Sequence, residues 1–136
     1  MSWVYDRQTT VYSRVKAMLT AKLKSKYPNL NVTQDNATPT NSQFPTIYIA
    51  FIGANERGET LDGTTINAVS MTVEVHIKTT KTQGVMANNE IAWDVVDIFK
   101  TMGFTATMPN IPTSDVNGVY ESVSRYSRIV GQGDVI

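Results

Sequence analysis

The chain has 136 residues, with 12 basic and 12 acidic side chains and no cysteine. This length favours a single domain with a substantial core, and the lack of cysteine excludes disulfides, thiolate nucleophiles and cysteine metal sites. A formal net charge of +0 gives no global field toward nucleic acid or anionic lipid. Because we find neither a secretory signal nor an apolar run of membrane-spanning length, we expect a protein made in a cytoplasm, without a membrane partner.

A first helix is predicted from about residue 5 to Tyr27, where Pro28 stops it. Its apolar residues recur at three- and four-residue spacing, which is typical of one buried helix face: Val11, Val15, Met18, Leu19, Leu23, Tyr27. Three lysines in its last turns suit the negative end of the helix dipole: Lys22, Lys24, Lys26. We interpret them as a solvated helix end, with a nucleic-acid patch as the less favoured alternative.

The next segment combines one short strand, one longer strand and two predicted loops. Residues 31–34 suggest an edge strand, and residues 35–43 an exposed polar loop. Phe44-Pro45 leads into a strand from Thr46 to Ile52, whose apolar side chains on both faces indicate a central strand covered on both sides. Residues 53–64 are predicted as a long connecting loop, and they lack the Lys followed by Ser or Thr that a phosphate-binding loop has after its second glycine.

The clearest signal is the strand from Thr65 to Thr79, because its apolar and polar residues alternate with period two. The predicted buried face is Val69, Met71, Val73, Val75 and Ile77. The predicted wet face is Ser70, Thr72, Glu74, His76 and Lys78.

A second helix is predicted from about Val85 to Met102, ahead of Gly103 as the left-handed residue past its end. Its apolar stripe comprises Ile91, Val95, Ile98, Phe99 and Met102, widened by Trp93 and Val96. Beyond it we predict a short strand from Phe104 to Met108, a loop marked by Pro109 and Pro112, and a last strand from Val119 to Val130. The predicted class is α+β: one domain, residues 1–136, with a mostly antiparallel sheet of four to five strands packed against two helices.

Residue chemistry gives little sign of catalysis. His76 is the only histidine and lies between Glu74 and Lys78 on the predicted wet face. We interpret it as a solvated strand histidine, because a lone histidine without cysteine makes a poor metal site. Three carboxylates on the second helix are interpreted as an exposed face and not as a hydrolytic or cation site: Glu90, Asp94, Asp97. We therefore predict no enzyme, no metal and no cofactor.

The last predicted strand interleaves arginines with tyrosines: Tyr120, Arg125, Tyr126, Arg128. Such a composition suits either base stacking or a protein interface. Because the chain carries no net charge, we favour the protein interface.

The order of elements and four local features carry a family resemblance. The features are the entry from Phe44 to Ile49, the alternating strand through Val73 to Val75, the helix end Met102 to Phe104, and the late strand from Tyr120 to Tyr126. In this layout the chain resembles the tail terminator, or tail completion, proteins of long-tailed bacteriophages. The resemblance covers most of the chain and is one of layout, without a single diagnostic motif.

The resemblance implies a structural virion protein that assembles as a hexameric ring on the end of the tail tube. Such a ring stops tube polymerisation and presents a surface to the head connector or a neck protein. Its implied partners are further copies of itself, the tail tube protein and the connector, while genomic DNA passes through the lumen without specific binding. Its implied location is the tail or neck of the virion, after assembly in the host cytoplasm.

Two groups of residues are predicted as ring or lumen contacts. The first lies in the long connecting loop: Glu56, Arg57, Glu59 and Asp62. If that loop faces the lumen, its acidic excess repels DNA phosphates and keeps the passage free. The second group is the tyrosines and arginines of the last strand, Tyr120, Arg125, Tyr126 and Arg128. The family pattern supplies no catalytic residue to carry over.

Three alternatives stay open at this point. One is a head-completion or neck protein that binds the connector. Another is a small enzyme or ligand-binding domain on the face around Glu74, His76 and the second helix. The third is a DNA-binding module, for which binding would depend steeply on salt.

Overall fold

A computed structural model describes residues 2–34, 44–59, 66–80, 82–112, 118–131 and 133–136. In this part of the chain, two helices and five strands follow one another in the order helix, two strands, a third strand, helix, two strands. They are α1 (Ser2–Leu23), β1 (Asn31–Thr33), β2 (Thr46–Glu59), β3 (Ile66–Thr80), α2 (Gly84–Thr101), β4 (Thr105–Pro112) and β5 (Val119–Gly131).

The five strands form one sheet in the order β1-β2-β3-β5-β4. The pair β1 and β2 is parallel, and every other neighbouring pair is antiparallel. Both helices lie on one face: α1 packs over β1 and β2, while α2 packs over β3, β5 and β4. The α+β class with a mostly antiparallel sheet and two helices is therefore confirmed.

Strand β3 supplies the centre of the core. Its five predicted apolar residues are all fully buried beneath the helices: Val69, Met71, Val73, Val75, Ile77. The matching helical stripes are buried too, with Val11, Val15, Leu19 and Leu23 on α1 and Ile91, Val95, Ile98 and Phe99 on α2. The period-two and period-3.6 patterns thus meet in one interface, and burial of this apolar surface is the main force that stabilises the fold.

An aromatic stack ties α2 to β5. The rings of Phe99 and Tyr126 are parallel within 4° at a centroid distance of 4.4 Å, and Phe104 meets Phe99 edge-on at 5.4 Å. Both Phe99 and Tyr126 are fully buried. Rings at these distances contribute to stability beyond their buried area.

A buried polar link that no sequence pattern indicated holds the start of α2 to the sheet. Asn88 donates from Nδ2 to the carbonyl oxygen of Ile77 at 3.0 Å, and the Ser122 hydroxyl donates to Asn88 Oδ1. Because both polar groups are buried, these hydrogen bonds offset the cost of removing them from water.

The prediction of a long connecting loop at residues 53–64 is wrong for most of these residues. Strand β2 continues to Glu59 and pairs with β3 until Glu59 meets Ile66. The register shifts by one residue between Phe51 and Gly53, as at a β-bulge. Polar, glycine-containing sequence suggested a loop here, but pairing with the adjacent long strand satisfies its backbone. Residues 60–65, and the predicted loop at 35–43, lie outside the described residues.

Two further strand predictions need correction. Strand β2 is covered on one face only, since Tyr48 and Ala50 are half-buried on the face away from the helices. Strand β4 extends through the predicted loop at Pro109 to Pro112, with register shifts that accommodate the prolines. A proline at an edge strand with shifted register removes no hydrogen bond that the sheet needs. The predicted edge strand at residues 31–34 is confirmed as β1.

Trp93 is not part of the core stripe of α2. Its side chain is 69% exposed, although Val96 is half-buried as predicted. A helix turns about 100° per residue, so Trp93 lies about 200° around the helix from Ile91 and faces β4 instead of β3. The prediction that Trp93 widens the buried stripe of α2 is therefore wrong.

The end of α2 is closed by Gly103 and Arg128. Gly103 has φ +79°, confirming the predicted left-handed residue, and Phe104 N–H donates to the carbonyl oxygen of Phe99 at 3.0 Å. Arg128 donates from Nη1 to the carbonyl oxygen of Met102 at 2.7 Å. Its cation therefore lies at the negative end of the helix dipole, where it is stabilising.

Replacing Phe99 by alanine tests the aromatic stack. We expect Phe99→Ala to lower the free energy of unfolding by about 3–5 kcal/mol, because it opens a cavity against Tyr126. Urea unfolding followed by circular dichroism measures this loss. The matched control is Trp93→Ala on the same helix, which should change the free energy by about 0.5 kcal/mol or less. Equal losses in the two variants would contradict the assignment of Phe99 to the core.

Candidate functional site

The face of the sheet away from the helices carries an ion-pair cluster built by β3 and β5. Glu74 is its centre: Oε1 lies 2.5 Å from Nε2 of His76, and Oε2 accepts from Nε of Arg125 at 2.8 Å. Glu121 lies 3.5 Å from Nδ1 of His76 and 3.6 Å from Nζ of Lys78. The cluster thus connects two carboxylates with three basic side chains.

Strand register explains why these five side chains meet. Glu74 is directly opposite Arg125, and Lys78 is opposite Glu121. On the other flank of β3, His76 is opposite Tyr48, with ring centroids 5.3 Å apart. Opposite charges in facing positions of neighbouring strands stabilise a sheet.

The wet face is more enclosed than the sequence predicted. Only 18% of the His76 side chain is exposed and 16% of the Glu74 side chain, so the interpretation of His76 as a solvated histidine is wrong. Both ring nitrogens of His76 face a carboxylate.

Neighbouring groups also set the ionisation of Glu74. Partial burial by itself raises the pKa of Glu74, but hydrogen bonds from His76 and Arg125 outweigh it, so the pKa lies below its ordinary value. The carboxylate is therefore held in its charged form.

The cluster forms a closed set of ion pairs and does not extend to α2. Glu74 and His76 lie on one face of the sheet, while α2 covers the opposite face. A site that combined Glu74, His76 and the second helix is therefore not assembled. Across the described ranges, no three histidine, aspartate or glutamate side chains are grouped so as to hold a metal ion.

Two carboxylates of α2 pair with lysines in the last turn of α1 and in the turn that follows it. Lys26 Nζ lies 2.6 Å from Glu90 Oε1, and Lys22 Nζ lies 3.8 Å from Asp94 Oδ1. Asp97 is exposed, and it has no ion pair among the described residues. These contacts join the two helices, although exposed pairs of this kind add little stability.

The predicted contact residues of the last strand lie in different environments. Arg125 is exposed on the open face and pairs with Glu74. Tyr126 is buried in the core, and burial raises the pKa of Tyr126. Arg128 lies at the end of α2, and Tyr120 is half-buried. Of the four, Arg125 is the one presented to solvent.

The predicted acidic segment lies at the far end of the β2–β3 pair. The backbone of Glu56, Arg57 and Glu59 belongs to β2, and Asp62 lies outside the described residues. Arg57 is opposite Ala68 of β3. Pairing between β3 and β5 also ends at Ala68, which is opposite Gly131. The pair Glu59 and Ile66 therefore extends past the end of β5.

An open, largely apolar groove lies between α2 and β4. It has a volume of about 530 Å³ and is lined by Asn89, Ala92, Trp93, Val96, Lys100, Ala106, Pro109 and Asn110. Met86, which is also exposed, lies on α2 three residues before Asn89. Apolar grooves with a few polar groups are common binding sites, so this groove is a candidate interaction site.

Sequence reasoning missed this groove, although α2 does carry a signal for it. Met86, Asn89, Trp93, Val96 and Lys100 recur at three- and four-residue spacing, beside the core stripe. A second stripe on one helix indicates a second packing face. The groove itself depends on β4, which the sequence places only in part.

No family model matches the sequence, and a search of curated proteins returned no match. Neither helix of the described residues combines the length and apolarity needed to cross a membrane.

Replacing Glu74 by glutamine tests the ion-pair cluster. A carboxylate whose folded-state pKa is lowered stabilises the fold above its ordinary pKa of about 4.3, and this contribution is lost as the pH falls through the lower folded-state value. We therefore expect the parent protein to lose stability more steeply below about pH 4.3 than Glu74→Gln. Urea unfolding at a series of pH values between about 3 and 6 measures the difference.

The control for this series is Glu90→Gln, which removes a carboxylate from an exposed pair. Its stability curve should run nearly parallel to that of the parent protein. Parallel curves for Glu74→Gln as well would contradict the role of the cluster.

Proposed function

We propose that this chain is a structural virion protein that caps the end of a phage tail tube as a ring, ends tube polymerisation and joins the tail to the head connector. The fold supports this proposal, since the helices and strands on which the resemblance rests occur in the expected order, in a single sheet with both helices on one face. Fold alone does not define function, so surface properties must also agree.

The observation that carries the proposal is the exposed apolar groove between α2 and β4. Trp93 and Met86 stand largely in solvent, whereas the core of the same small domain is fully formed without them. Aromatic side chains in this position are typical of protein interfaces. A ring subunit needs two different surfaces, one for each neighbour, and the groove supplies one of them.

The proposed ring is a hexamer whose other partners are the tail tube protein and the head connector or a neck protein. Its place is the tail or neck of the virion, after assembly in the host cytoplasm. We propose that the end of the β2–β3 pair, with Glu56, Arg57 and Glu59, faces the lumen. An acidic excess there repels DNA phosphates, so the genome passes without specific binding. Finding this end on the outer rim of an assembled ring would contradict the placement.

The ion-pair cluster supports a structural role for the open face better than a catalytic one. Each carboxylate of the cluster lies close to a basic side chain, so its charge is already compensated. An enzyme on this face would depend on His76, whereas a ring protein would tolerate its loss. A neck or head-completion protein has the same surface requirements and differs in its station on the particle.

Particles assembled without this protein test the proposal. In the phage genome that encodes the chain, deletion of its coding sequence should give tails that are overlong, variable in length and unattached to heads. Tube ends without a cap continue to add subunits, which is the reason for the excess length. Negative-stain electron microscopy of lysates measures tail length and attachment.

The other outcomes separate the alternatives. Tails of normal length beside DNA-filled heads would contradict tube termination and favour the head-completion protein. Normal virions would contradict any structural role. Re-expression of the parent chain and of His76→Ala is the matched control: both should restore normal tails, while failure of His76→Ala alone would favour an enzyme.

A further inference from the structure

Two features of the groove between α2 and β4 indicate what an occupant would have to offer. Its apolar wall is open to solvent at Trp93. Lys100 is exposed at the groove and forms no ion pair with a described residue. An occupant that matches both would bring an apolar group and a carboxylate.

The edge of β4 argues against an added strand as the occupant. Pro109 and Pro112 lie on this edge strand and have no N–H to donate. Natural sheets use prolines in this way to prevent edge pairing. The occupant therefore docks by its side chains, as a helix or an anchor residue does.

One surface of the same chain offers the matching chemistry. Tyr5, on the first turn of α1, is 75% exposed and presents a ring with a phenolic O–H. The adjacent Asp6 is also exposed, and its carboxylate has no ion pair in the described residues. Asp6 is the only acidic residue of α1, and Lys100 is the only charged side chain among the described residues that line the groove.

We propose that Tyr5 of a second copy of this chain binds in the groove between α2 and β4. Its ring packs against Trp93 in the groove. Asp6 of the same copy pairs with Lys100. Burial of the ring against Trp93 gives this contact the properties of an interface anchor.

The contact joins two different surfaces, so it is head-to-tail. Each copy offers Tyr5 to one neighbour and its groove to the other, and repetition of the contact closes into a ring or continues as a filament. This inference rests on the proposed function for the closed ring, but the contact itself can be tested without tail tubes.

Photocrosslinking tests the contact directly. The variant Tyr5→p-benzoylphenylalanine keeps an aromatic anchor at position 5, and it is mixed with unmodified chain labelled with ¹⁵N before irradiation. We expect a crosslinked peptide that joins position 5 of the unlabelled chain to residues 89–110 of the labelled one. Mass spectrometry identifies both peptides and their labels. The control is Ile129→p-benzoylphenylalanine, which is exposed on the open face of the sheet and should not label the groove.

Two sets of variants then test the chemistry of the contact. Trp93→Ala in the labelled chain should greatly reduce the crosslink. Asp6→Lys in the unlabelled chain, or Lys100→Glu in the labelled one, should each lower the yield by about fivefold, as expected for loss of a good exposed ion pair. The two exchanges combined should restore the yield, because the pair is re-formed with its charges reversed.

Failure of this contact differs from failure of the proposed function. Absence of the crosslink, a crosslink within one copy, or labelling of another surface would overturn the contact. If the chain still ended tail tubes in that case, the ring would be built through other surfaces and the proposed function would stand. A specific crosslink in a chain whose deletion leaves virions normal would support the contact and contradict tail termination.

Discussion

The burial of one face of β3 beneath both helices is the constraint on which the rest of the structure depends. Five alternate residues from Val69 to Ile77 are fully buried there, and neighbouring strands align with β3 in register. Because the side chains of a strand alternate, this burial fixes the other face of β3 as well. That face carries Glu74, His76 and Lys78, and it acquires its ion pairs from the register with β5.

One-sided coverage of the sheet also determines which surfaces are available for partners. The helices cover one face of the sheet, and on the other face the charged side chains of the cluster pair with one another. The helix layer ends at β4, where α2 leaves Trp93 without a core neighbour to cover it. The core of this domain is complete, but its flank, the side between α2 and β4, is left partly uncovered. We regard that flank, together with the exposed start of α1, as the part of the molecule that assembly would use.

The sequence predicts the periodic parts of this fold well, because periodicity reports burial. The alternation of β3 and the stripes of Val11 to Leu23 and Ile91 to Phe99 correspond to buried faces. Prediction from the sequence fails where pairing with a distant strand overrides the local composition. Polar residues after Gly53 continue as a strand because β3 provides a partner, and the prolines of β4 are accommodated at an edge. The strand propensity of a segment predicts neither its pairing partner nor its position at the edge of a sheet.

The candidate sites were less predictable for the same reason. The enclosure of His76 and the burial of Tyr126 depend on neighbours across the sheet, which residue spacing along one strand does not reveal. The groove arises from the approach of α2 to β4, so only its helical half is visible in the sequence.

The central claim is that the molecule ends a tail tube as a ring. Its most direct test is cryo-electron microscopy of purified tail tubes mixed with the pure chain. The account predicts a ring of this chain on one end of each tube, after which added tube protein no longer extends that end. Bare ends that continue to grow in the presence of excess chain would contradict it.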